Sequence, residues 1–137
     1  MNRILWIIRR PLLALIFLSS GMLVACQQDG QESNMNDLTK FATRYAAAWS
    51  SQDPEKLASF YAENGSLQVN DGEASVGRDA VSETARNFMS AFPDMVIELV
   101  ELRRVGDQLQ FHWHWTGTNS GAGGTGNAVD LRGYEQW

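Results

Sequence analysis

From Leu38 onward the apolar positions first keep a helical spacing and then, past Pro93, change to strict alternation. Leu38, Phe41, Ala42, Tyr45, Ala48 and Trp49 recur every three or four residues among Asp37, Lys40, Arg44 and Gln52, which predicts an amphipathic helix from about Met35 to Ser51. Asp53-Pro54 offers an N-cap and a proline at the first helical position, and Leu57, Phe60 and Tyr61 mark the inner face of a short second helix. Gly65 to Val69 reads as a short strand and Asn70-Asp71-Gly72 as a turn. Val81, Ala85, Phe88, Met89 and Phe92 then give a third helix from about Asp79 to Phe92, ended by Pro93.

The remainder is strand. Met95 to Val105 is rich in Val, Ile and Leu, Gly106-Asp107 makes a hairpin turn, and Gln108 to Thr118 alternates throughout. Leu109, Phe111, Trp113 and Trp115 share one face, while Gln110, His112, His114 and Thr116 share the other. A glycine-rich loop, Asn119 to Asn127, leads to a last strand, Ala128 to Trp137, with Val129, Leu131, Gly133, Glu135 and Trp137 on one side. Helices first and an antiparallel sheet after them predict an α+β layer fold, the helices covering one face of the sheet.

The N-terminus follows a different logic. Arg3, Arg9 and Arg10 precede an apolar run, Leu12 to Leu18, then Ser19-Ser20-Gly21 and Leu23-Val24-Ala25-Cys26, which reads as a bacterial lipoprotein signal over residues 1–25 with Cys26 as the acylated residue. The run is too short for a spanning helix, which needs about 20 apolar residues. Gln27 after the cysteine, in place of aspartate, points to the outer membrane, facing the periplasm. Cys26 is the only cysteine, so no disulfide is expected. Residues 26–36 are polar and read as the lipidated cysteine and a flexible tether, leaving residues 37–137 for one small domain. Removal of Arg3, Arg9 and Arg10 takes the formal charge from −5 to −8. Such an acidic domain is a poor fit to nucleic acid or to anionic lipid head groups, so the acyl chains must provide the membrane anchor.

Glu135 breaks the apolar face of the last strand, and a carboxyl among Val, Leu and Trp must be neutral, paired or turned into a polar cavity. The alternatives are a register in which Tyr134 points inward instead, or a structural ion pair with Arg104 or Arg132. Tyr45, on the inner face of the first helix, is either a core tyrosine or a hydroxyl seeking a partner. His112 and His114 lack a third ligand, so no metal site is specified and a solvated or dimer-facing pair is the plainer reading. The run Gly121 to Gly126 matches a dinucleotide fingerprint by letters but leads into a strand, leaving no helix N-terminus for a phosphate. No cofactor is expected.

Several motifs occur in a familiar order: Tyr45-Ala-Ala-Ala-Trp49, Asp53-Pro54, Phe60-Tyr61-Ala62-Glu63-Asn64-Gly65, Ala91-Phe92-Pro93-Asp94, Trp115-Thr116-Gly117-Thr118 and Gly133-Tyr134-Glu135-Gln136-Trp137. In these the chain resembles the SnoaL-like polyketide cyclase domains of the nuclear transport factor 2-like superfamily, which includes ketosteroid isomerase. The resemblance implies a curved sheet wrapped round a pocket as a cone. Tyr45 falls at the isomerases' oxyanion-hole tyrosine and Glu135 at their protonated acid, which hydrogen-bonds an enolate oxygen. The position of their general base falls on Val69, beside Asn70, neither of which accepts a proton at neutral pH. One further strand usually follows Trp137 in that family, so the chain is expected to be truncated there.

Together these readings predict a lipid-anchored domain with a pocket for a small apolar molecule lined by Tyr45, Trp49, Phe60, Phe88, Phe111, Trp113 and Glu135. They leave open whether it is an enzyme. The alternative is an interaction module whose outer sheet face, with His112 and His114, forms a homodimer or holds a periplasmic partner.

Overall fold

The computed structural model describes residues 20–137. The chain divides into two units, Met1–Asn34 and Met35–Trp137, and the second carries the sheet and its core. The charged and apolar parts of the expected signal, Arg3 to Leu18, lie outside the described residues. The first helix, α1 (Ser20–Trp49), starts well before Met35. Residues 27–34, read from composition as a tether, continue this helix without a break. Their composition lacks an apolar stripe, the signal from which a helix is read, although only Gly30 among them opposes the helical backbone. Among the described residues no helix is long and apolar enough to cross a membrane.

In the unit Met35–Trp137, α1 buries Ala42, Tyr45, Ala46, Ala48 and Trp49. A short helix, α2 (Pro54–Ala58), follows, with Asp53 accepting the Lys56 N–H at 2.9 Å as its cap. Phe60 and Tyr61 fall just beyond its end, although the spacing places them on its face. Ser66–Leu67 (β1) pairs antiparallel with Ser75–Val76 (β2), a two-residue strand too short to show a period. The turn between them is closed by the Gly72 N–H on the Val69 carbonyl. Helix α3 (Arg78–Ala91) buries Val81, Ala85 and Met89 at the positions its spacing predicts, with Phe88 half-buried beside them.

Strands β3 (Val96–Val105), β4 (Gln108–Thr118) and β5 (Ala128–Gln136) form an antiparallel sheet in the order β3-β4-β5. A bulge between Leu99 and Glu101 inserts Val100, so Leu99 and Leu102 both keep the inner face. Side-chain bonds tie the sheet to the end of α1 and to the turn before β3. Ser50 Oγ, at the end of α1, accepts the Ile97 N–H at 2.8 Å. Asp94, before β3, accepts the Thr118 N–H at 2.7 Å, a bond that also holds its carboxyl below the usual range. Gly121 lies close against the end of α3, its N–H on the Ala91 carbonyl, where a Cβ would collide with the Ser90 backbone.

Candidate functional site

The inner face of the sheet meets two different fillings. Near the end of β5, Phe111 stacks on Trp137, ring centroids 5.2 Å apart and planes 9° from parallel. Tyr45 meets Phe111, Phe60 and Trp137 edge to face at 5.5, 5.7 and 5.4 Å. Phe111 and Tyr45 are 0% and 2% exposed, so this end is solid.

The other end is hollow. A cavity of about 420 Å³ is lined by Trp49, Phe88, Trp113, Trp115, Leu67, Met95, Ile97 and Leu131, by Gln68, Val69 and Asn70 of the β1–β2 connection, and by Arg132, Tyr134 and Glu135 of β5. Of the residues expected to line a pocket, Trp49, Phe88, Trp113 and Glu135 do so, whereas Tyr45, Phe60 and Phe111 belong to the packed end. Alternation gives the face of a strand and says nothing of how far the covering helices fill it. Ile97 and Leu131 share the inner-face parity of Trp115, a signal that would have found them.

Glu135 sits where the two fillings meet. It pairs across the sheet with Phe111 and faces inward to Tyr45, while Tyr134, 55% exposed, lies against His112 of the outer face and also borders the cavity, which removes the slipped register. Among the described residues neither Arg104 nor Arg132 makes an ion pair with it. Instead Oε2 accepts the Tyr45 hydroxyl at 2.9 Å and the Trp137 indole N–H at 3.2 Å. Tyr45 and Tyr61 hydroxyls are 2.7 Å apart. Since Tyr45 gives its only proton to Glu135, Tyr61 is the donor in that pair, and a chain Tyr61 to Tyr45 to Glu135 results. Spacing turns Tyr61 inward but does not pair it with Tyr45, because its hydroxyl reaches Tyr45 only through the fold.

Burial is the main cause that raises the Glu135 pKa, while the hydrogen bonds from Tyr45 and Trp137 pull the other way. Burial also pushes both tyrosines up, and the nearby Glu135 carboxyl adds to this. With both bonds on Oε2, a protonated Glu135 carries its hydrogen on Oε1, leaving a donor for a ligand. Tyr45 is committed to Glu135 and orients it. Among the described residues no other carboxyl lines the cavity, and Val69 and Asn70 stand at its wall without a basic group.

His112 and His114 lie on the opposite face of the sheet. His114 Nε2 is 2.7 Å from Asp130 and its Nδ1 is 3.5 Å from Glu98, so its two nitrogens face different carboxylates. His112 meets Gln110 at 3.1 Å and the Tyr134 ring at 5.5 Å. Among the described residues no group of three side chains is arranged to hold a metal.

Known structures share this fold. A hypothetical protein with a ketosteroid isomerase-like fold from Catenulispora acidiphila, determined in complex with trimethylamine, is 20% identical, with 70% of this chain and 72% of that one aligned and a TM-score of 0.60. A putative SnoaL-like polyketide cyclase from Jannaschia sp. is 12% identical over 72% of this chain and 75% of that one, TM-score 0.56. TsrD from Streptomyces laurentii is 16% identical with the same coverages and a TM-score of 0.58. Likeness at these identities speaks for the fold alone. A search among curated proteins returns no match. The SnoaL-like domain profile matches residues 42–137, which takes in α1 from Ala42, the cavity and Glu135, and the chain therefore belongs to the SnoaL-like domain family.

Proposed function

We propose that this domain binds a small, largely apolar molecule in the aromatic cavity and anchors it by one polar contact to Glu135. The observation that carries this reading is the half-satisfied carboxyl: Oε2 is held by Tyr45 and Trp137, and Oε1 is left without a partner among the described residues at the cavity wall. A neutral acid there donates to a carbonyl, phenol or enolate oxygen, and in an enzyme it would stabilise charge developing on such an oxygen. Turnover would need a base that the lining residues do not supply. Carboxyl-carbon NMR of Glu135 in the full chain, with and without phenol, tests this. A pKa above the ordinary ~4.3 that responds to phenol is the expected result; an ordinary value with no binding overturns it. If the domain has an activity, Glu135→Gln lowers it with the fold intact.

The N-terminal pattern supports a lipid anchor at Cys26, placing the domain in a bacterial cell envelope, at the outer membrane and facing the periplasm. Incorporation of labelled palmitate, lost in Cys26→Ala, is expected.

A second reading rests on the outer sheet face, where the exposed Tyr134 lies against His112 at the middle of the three strands. We propose that this face forms a homodimer, broken by His112→Glu with His114→Glu. A monomer at micromolar concentration would rule it out.

A further inference from the structure

We infer that Gly133 is a specificity-determining residue, fixing the width of the cavity beside Glu135 through the position it allows Trp113; this rests on the cavity being a ligand site.

On β5 the inner-face positions run Leu131, Gly133, Glu135, and Gly133 stands directly across from Trp113 of β4. Leu131 and Glu135 both line the cavity, and so does Trp113. The place that a side chain at residue 133 would fill is occupied by the Trp113 indole. A Cβ on Gly133 would lie 2.6 Å from its Cη2 and 3.1 Å from its Cε2, well inside carbon–carbon contact. An indole is rigid and can yield only by turning as a whole.

It has few places to go. Along β4 the same face is taken by Phe111, fully buried, and by Trp115, packed edge to face on Phe92 at 4.9 Å and on Phe88 at 6.0 Å. Across the sheet on the other side stands Leu99, packed against the core. The cavity is the remaining space. A side chain at residue 133 therefore drives the indole into the cavity next to the carboxyl, and the missing one keeps that wall back. Glycine in the middle of a regular strand is otherwise a cost in conformational entropy and lost packing.

Titration of the full chain with phenol, naphthol and estradiol, phenols of increasing ring number, reads this width. Gly133→Ala is expected to change the phenol Kd by less than about twofold and to weaken estradiol by about tenfold or more, in the range that one methyl group commands in a closed pocket. Trp113→Phe in the Gly133→Ala background gives the smaller ring room, and estradiol binding returns to within about threefold of the unaltered protein. Where Gly133→Ala alone does not fold, the double variant must fold and bind all three. Loss of all three probes alike in Gly133→Ala, loss of none, absence of rescue, or a double variant that does not fold overturns the inference. If the unaltered protein binds no probe, the ligand-site reading fails and this inference with it. If it binds all three and Gly133→Ala does not discriminate, only the inference fails.

Discussion

One inner sheet face carries two kinds of aromatic packing, and the contrast between them locates the site. At the Phe111 end, Trp137 stacks on the buried ring, Tyr45 meets it edge to face, and Phe41 and Phe60 pack edge to face behind these two. At the Trp113–Trp115 end, side chains at least as large line a hollow of about 420 Å³. Tyr45 and Trp49, one turn apart on α1 and 6.4 Å between rings, belong one to each. Apolar character is therefore common to both ends, and completeness of filling separates them. The solid end stabilises; the hollow end has surface to offer a ligand. Glu135 touches both, with Oε2 held by the solid end and its side chain at the cavity wall.

The largest effect is expected from emptying the solid end. Phe111→Ala removes a fully buried ring in contact with Tyr45 and Trp137, and by analogy with buried aromatic truncations it costs about 3–5 kcal/mol of stability, measured by chemical denaturation. A loss under about 1 kcal/mol would mean that this end is not packed as a core.

Next comes the junction. Tyr45→Phe keeps the ring and its aromatic contacts but deprives the Tyr61 hydroxyl of its acceptor and Glu135 of a donor, for an expected loss of about 1–3 kcal/mol. Because the Tyr45 bond lowers the Glu135 pKa, its removal moves that pKa further up. A downward movement in carboxyl-carbon NMR would show that Tyr45 does not act on the carboxyl as the 2.9 Å bond implies.

The elements of the fold were largely legible, and the partition between filled and hollow was not. Alternation over Gln108 to Thr118 predicts β4 to the residue, and the spacing of Val81, Ala85 and Met89 gives α3 to within one residue at either end. Such patterns are local, since a period of two or of 3.6 is written in neighbouring side chains. The bulge at Val100, the two-residue β2 and the helical run through residues 27–34 leave no such period. In the site, Glu135 stood out as a polar residue on an apolar face. Its hydrogen-bonding to Tyr45, 90 residues away in sequence, is created by the fold. Phe60 and Phe111 show the same limit from the other side: they were expected in the pocket on character, and packing puts them in the core.

Glu135 also makes the junction sensitive to pH. Unfolded, its carboxyl titrates at the ordinary ~4.3; folded, burial lifts it above that value. Between the two values the native state keeps a proton that the unfolded state has released. Stability from this group is therefore complete below the ordinary value and is lost as pH rises through the raised one. Glu135→Gln removes the titration, so its melting temperature relative to the unaltered protein is expected to rise as the pH is taken from 4 to 8. A difference that stays flat over that range would place Glu135 in contact with water and its pKa at the ordinary value.

The smallest effect belongs to the hollow end and completes the comparison. Trp115 Nε1 is buried without a hydrogen-bond partner among the described residues, an arrangement that costs the native state the hydration of that N–H. Trp115→Phe loses packing against Phe88 and Phe92 but also removes this orphan donor, and the ring faces a cavity that is already open. The two contributions oppose each other, and the net change is expected within about 1 kcal/mol of zero, several-fold below Phe111→Ala. Comparable losses at Phe111 and Trp115 would mean that both ends are core and that the hollow closes in solution. A near-neutral Trp115→Phe beside a severe Phe111→Ala is what a sheet face divided between support and reception requires.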